Sequence, residues 1–115
     1  MVTRNETTRA VEELLEALAE LRQATRATEV GIRRALQRAH RGVDVATAVS
    51  ALDPATTRNA MNDALKAVEQ ARHEMRLAVF AKALDQGTSI GELGRIFGFS
   101  RQLAARYAKE ARGRA

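Results

Sequence analysis

Glycine and proline interrupt this chain at very few places, and long runs of alanine, leucine, glutamate and arginine fill the intervals. One proline, Pro54, stands in 115 residues, and apart from Gly31 the glycines fall at 42 or between 87 and 113. The residues between lose little side-chain freedom in a helix, so the chain is expected to be all-α. Only Val43-Asp-Val-Ala-Thr-Ala-Val has a β-flavoured composition, and it is short.

The first helix is expected to start near Asn5 or Thr7, either of which can cap the free backbone N–H groups. Glu12, Glu13 and Glu16 suit its positive end, and Arg33, Arg34, Arg38 and Arg41 its negative end. Val11, Leu14, Leu18, Leu21, Thr25, Thr28, Ile32, Ala35 and Ala39 alternate steps of three and four, the seam of a coiled coil. Leu15 and Leu36 widen this stripe. Its weak middle calls for a polar layer, or for a crossing partner that needs small residues near Gly31.

Gly42 ends the helix, and a helical turn over 44–52 follows with Asp44 as its cap. Asp53-Pro54 then reads as cap and first-turn proline of a second long helix, which runs to about Gln86 and closes at Gly87. Met61, Ala64, Leu65, Val68, Ala71, Met75, Ala78 and Val79 form its stripe. Two long helices joined by a short bend read as an antiparallel hairpin. Its seam is mostly alanine, valine and threonine, too little apolar surface to offset the ordering of so many residues. A second copy completes a four-helix core, so a homodimer is expected, with parallel and antiparallel pairing both open.

Charge separates the end of the chain from the rest. Residues 87–115 hold six basic groups and two acids, a net of +4, whereas residues 1–86 hold thirteen and twelve, a net of +1. A local basic excess is the footprint of a polyanion-binding face. Other classes of function find little support. There is no cysteine, and the two histidines, His40 and His73, lack a carboxylate-rich ligand set and read as solvated helix residues. No metal, cofactor or catalytic site is expected, because the chain has no nucleophile–base pair and no glycine-rich phosphate loop. It has no apolar run long enough for a membrane span and no secretory signal, which points to a cytoplasmic, nucleoid location.

Within 87–115 the order is cap, helix, turn, cap, helix. Gly87-Thr88-Ser89 breaks the long helix and starts another over Ile90–Phe97, Gly98-Phe99-Ser100 turns, and Ser100 caps a last helix to about Arg112. Apolar residues fall at Ile90, Leu93, Ile96, Phe97, Phe99, Leu103, Ala104 and Tyr107, and Gly94 stands where two steeply crossing helices touch. The pattern Leu93-Gly-x-x-Phe97-Gly98-Phe99-Ser100-x-x-x-Ala104-x-x-Tyr107 resembles the bacterial helix-turn-helix. Ile96-Phe-Gly-Phe-Ser-Arg-Gln, followed by Ala-Arg-Tyr, is similar to the DNA-binding ends of invertases and resolvases. It is also similar to regulators of GC-rich, actinobacterial-type bacteria with a Gly-Val-Ser-Arg-Gln turn. The match covers about 25 of the 115 residues. Ala104 stands where a β-branched residue is commoner, and Gly94 replaces the usual alanine, both keeping the volume small.

The resemblance implies a third helix beneath the pair, supplied by the end of the second long helix, with Leu77, Phe80, Ala81 and Leu84 packing on Ile90, Phe97 and Tyr107. The chain then divides into a dimerising hairpin, 1–74, and a tri-helical DNA-binding head, 75–115. The resemblance also implies major-groove binding to double-stranded DNA. Ser100, Arg101, Gln102, Ala105 and Arg106 would meet base edges, and Thr88, Ser89, Arg95, Lys109 and Arg112 the phosphates. The expected function is a dimeric sequence-specific regulator of transcription. The alternatives are a nucleoid-associated or DNA-bridging protein and an adaptor that binds a protein through the hairpin. Two heads on one face meet half-sites roughly 34 Å apart. Heads at opposite ends of a helix of some 33 residues stand roughly 50 Å apart and suit bridging.

Overall fold

The computed structural model describes residues 6–114, and these form five α-helices and no strand. In chain order they are α1 (Glu6–His40), α2 (Val45–Ser50), α3 (Pro54–Asp85), α4 (Ile90–Phe97) and α5 (Arg101–Gly113). The all-helical class is the one the composition predicts; the cap expected at Asn5 lies outside the described residues. No helix among the described residues is long and apolar enough to cross a membrane.

The helix ends follow local chemistry. After α1 the Val43 N–H returns to the Arg38 carbonyl, and after α3 the Thr88 N–H returns to Ala83, so carbonyls left over at each end are satisfied. The Asp44 carboxylate caps α2, accepting from the Thr47 N–H at 3.0 Å and the Thr47 hydroxyl at 2.9 Å. Those two bonds hold the Asp44 pKa below the usual aspartate value. Pro54 opens α3 as expected, but Asp53 has φ 53°, not the extended backbone of a side-chain cap. Beside it the Thr57 hydroxyl donates to the Leu52 carbonyl at 3.1 Å.

The chain divides into two compact units. One is Leu15–Glu69, with most of α1, all of α2 and the first half of α3. Here the expected seam is displaced by one residue at alternate positions. Leu21, Thr28, Ala35 and Ala39 are sheltered as expected, but their companions are Ala17, Ala24 and Gly31, while Leu18, Thr25 and Ile32 face outward. Small residues win the inner row because they let a neighbour come close: Leu52 Cδ1 fills the space where a Gly31 side chain would stand. On α3, Met61, Ala64 and Val68 are sheltered and Leu65, expected beside them, is exposed.

The other unit takes in α3 from Gln70, α4, α5 and the start of α1 through Leu14, a wider body than the expected 75–115. Within it Ala10 is buried and Val11 exposed, the same one-residue displacement, and the Thr7 hydroxyl donates to the Ala78 carbonyl at 3.4 Å. Its core joins Leu77 and Phe80 of α3, Leu93 of α4, and Ala104, Ala108 and Ala111 of α5. Leu84, Ile90, Phe97, Phe99 and Tyr107 pack around them. Ala81 was expected in this core and is exposed, because it follows Phe80 by one residue and so points about 100° away from it.

Phe80 has no solvent exposure, and its ring lies 5.4–6.2 Å from those of Phe97, Phe99 and Tyr107. Phe80→Ala is expected to cost about 3–5 kcal/mol, read as a lower urea midpoint with loss of near-UV aromatic signal. Because folding lowers the Asp44 pKa, its cap stabilises fully above the ordinary aspartate value and is lost as pH falls through the lower folded value. Protection of the Thr47 amide, taken relative to its intrinsic exchange rate at each pH, is expected to fall in that acid window, and Asp44→Ala to remove the effect.

Candidate nucleic-acid interface

α4 and α5 meet where neither carries bulk. A Cβ on Gly94 would lie 3.3 Å from Ala104 Cβ and 3.5 Å from the Phe99 carbonyl oxygen, which confirms the expected close approach at Gly94. Gly98 supplies the turn with φ 71°, a left-handed backbone that side chains disfavour. The Phe99 N–H then reaches the Gly94 carbonyl at 2.8 Å. Ser100 restarts the helix, its hydroxyl accepting from the Leu103 N–H at 3.1 Å. One expected apolar contact fails. Ile96 is 71% exposed, because the buried face of α4 is the set Ile90, Leu93, Gly94 and Phe97 and position 96 falls outside it.

α5 buries Ala104, Ala108 and Ala111 and half-buries Leu103 and Tyr107. Everything expected to read DNA lies on its other side: Ser100, Arg101, Gln102, Ala105, Arg106, Lys109 and Arg112 are all exposed. At 100° per residue, 101, 102, 105, 106, 109 and 112 span about 140° of the helix circumference. That face holds four cations and no acid.

The two acids of 87–115 are spent elsewhere. Glu92 completes a capping box on α4, its carboxylate accepting from the Ser89 N–H at 3.3 Å while the Glu92 N–H donates to Ser89 Oγ at 3.1 Å. Glu110 turns toward α3, where it lies 3.3 Å from His73 Nε2 and 3.3 Å from Arg114. Arg114 also pairs with Glu74, and that hydrogen bond pushes its pKa further up. The charge of Arg114 is thereby offset by Glu74 and Glu110, apart from the cationic face.

The capping box revises one expectation. The Ser89 hydroxyl and N–H are engaged with Glu92, and the Thr88 N–H with Ala83. A carboxylate therefore stands beside the pair expected to take a phosphate. Arg95 is better placed. It is exposed, and its Nη1 lies 3.7 Å from the Cβ position of Gly91, one turn nearer the start of α4.

Sequence reading also missed three groups on α3. His73 is not a solvated bystander: its Nδ1 lies 3.2 Å from the Tyr107 hydroxyl and its Nε2 against Glu110. Glu74 holds Arg114, and the Arg76 guanidinium sits 5.1 Å above the Phe99 ring. The His73 and Glu74 contacts span 34–40 residues, Arg76 and Phe99 are also distant in the chain, and no local spacing signals any of them. Among the described residues no group of three or more acidic or histidine side chains is placed to hold a metal ion. No known protein-family model, curated protein or solved structure matches the chain.

A methyl group at Gly94 asks Ala104 to give by only a few tenths of an ångström, but the two γ-methyls of valine ask for more. Gly94→Val is expected to destabilise by about 1–3 kcal/mol, measured by urea unfolding, with the unfolding transition remaining cooperative.

Proposed function

We propose that this chain binds double-stranded DNA through a helix-turn-helix in which α4 and α5 are the paired helices and the end of α3 is the third. A regulator of transcription is the role that fits it best. The carrying observation is the outward face of α5, which presents Arg101, Arg106, Lys109 and Arg112 with Gln102 and no acid. A face that merely keeps a helix solvated needs no such sorting of charge; a polyanion surface does.

In this reading the start of α5 enters the major groove. Arg101 donates two hydrogen bonds to guanine O6 and N7, and Gln102 pairs with adenine N6 and N7. Ala105 offers its methyl group to a thymine methyl, and Arg106 reads a neighbouring base. The Ser100 hydroxyl accepts from Leu103 and keeps its own proton and a second lone pair for a base or phosphate. Lys109 and Arg112, farther along α5, grip phosphates and set register rather than sequence. Arg95, exposed on α4, holds a further phosphate. Thr88 and Ser89 drop out of the phosphate set because Glu92 stands beside them.

Footprinting on genomic DNA flanking the gene tests the role. A protected inverted repeat supports the regulator, whereas long featureless protection supports a bridging protein in its place. Arg101→Ala is expected to cost about 1–3 kcal/mol on the selected site and to relax selectivity at one base pair, measured by competition binding. Unchanged selectivity removes Arg101 from base reading. Lys109→Ala is expected to weaken all sequences alike and to reduce the slope of log K against log salt by about one.

A further inference from the structure

The unit Leu15–Glu69 is inverted in its use of apolar residues. Its buried hydrophobic residues are alanines, Ala17, Ala48 and Ala64, while several of its large side chains lie outside. Leu15 is 61% exposed, Leu18 40%, Ile32 53% and Leu36 55%. Ile32 and Leu36 of α1 join Val45, Val49 and Leu52 in lining an almost wholly apolar groove of about 380 Å³. Leu15 and Leu18 lie on the same face of α1, since 15, 18, 22, 25, 29, 32 and 36 alternate steps of three and four. One end of that face is thus a pair of leucine knobs and the other an apolar groove.

Charge runs along α1 in the same sense. Residues 6–20 hold five acids and one base, a net of −4, and residues 21–41 hold six arginines and one acid, a net of +5. At the positions that border this seam, Glu12 precedes the knobs and Arg33 stands beside the groove. We infer that the groove receives Leu15 and Leu18 of a second copy of this chain, with the two α1 helices antiparallel. Parallel pairing sets like charges side by side along the whole seam. Antiparallel pairing sets each acidic segment against the other copy's arginines, and the two-fold axis makes the contact twice, so both grooves are filled and the assembly closes. Arg22, Thr25 and Glu29 fall in the middle of the seam as a polar layer that fixes its register. The pairing needs nothing from α5 and stands whether or not that helix binds DNA.

Sedimentation of the full chain tests the pairing. The wild type is expected to sediment at twice its 12.6 kDa at about 100 µM, and Ile32→Glu as a monomer with an unchanged helical circular-dichroism spectrum. A wild-type monomer at that concentration overturns the proposal, as does a dimer that survives Ile32→Glu. Orientation is read by disulfide trapping, since the chain has no cysteine of its own. Leu15→Cys mixed with Ile32→Cys is expected to cross-link between the two variants, and self-linking of Leu15→Cys overturns the antiparallel arrangement. Reversing Glu12 to arginine is expected to weaken the dimer severalfold, because its attraction to the other copy's arginines is lost on both sides of the two-fold axis. Adding Arg33→Glu in the same chain restores it; failure to restore it overturns the charge argument.

Discussion

Burial of Phe80 is the contact on which the cationic end of this protein depends. Its ring sits in α3 and touches aromatic rings from α4, the turn and α5 at once. All four Phe and Tyr residues of the chain are in that cluster, so one side chain orders three helices. α4 and α5 meet at Gly94 and Ala104, with Leu93 sharing a core with the α5 alanines. With Phe80 beneath them the outward face of α5 is held at a fixed angle, and a side chain that reads a base edge needs that fixed angle.

The same packing sorts the charges. α5 turns Glu110 toward His73 and Arg114, and α4 turns Glu92 into its own cap, so neither acid stands on the face with Arg101, Arg106, Lys109 and Arg112. Each contact is modest by itself, as exposed ion pairs are. Their consequence is electrostatic: a charge excess spread through the last quarter of the sequence becomes a single-signed surface. Arg76 over Phe99 adds a cation at the edge of the aromatic cluster.

Much of this was legible in the sequence because the signals are local. Gly42, Gly87 and Gly98 close helices where they were expected to, Asp44 and Ser100 cap, and the i, i+3, i+4 pattern around Leu93 and Phe97 locates the core. The seam of α1 was not legible in the same way. Two rows compete there, Ala10, Ala17, Ala24 and Gly31 against Val11, Leu18, Thr25 and Ile32, and hydrophobicity favours the second. Close approach favours the first, and periodicity alone cannot weigh the two. Ile96 misled for a related reason, since an apolar type is no guarantee of an inward position on a helix of eight residues. The His73–Tyr107 and Glu74–Arg114 contacts join residues far apart in the chain, which a single sequence does not pair.

The central claim is that the exposed face of α5 meets a DNA duplex. Titration of a duplex into isotope-labelled protein at low salt, followed by amide and arginine side-chain NMR shifts, tests it most directly. Shifts are expected to concentrate at Ser100–Lys109 and Arg95 and to fade as salt is raised. Saturating shifts confined to Leu15–Glu69, or none at any duplex concentration, would contradict it.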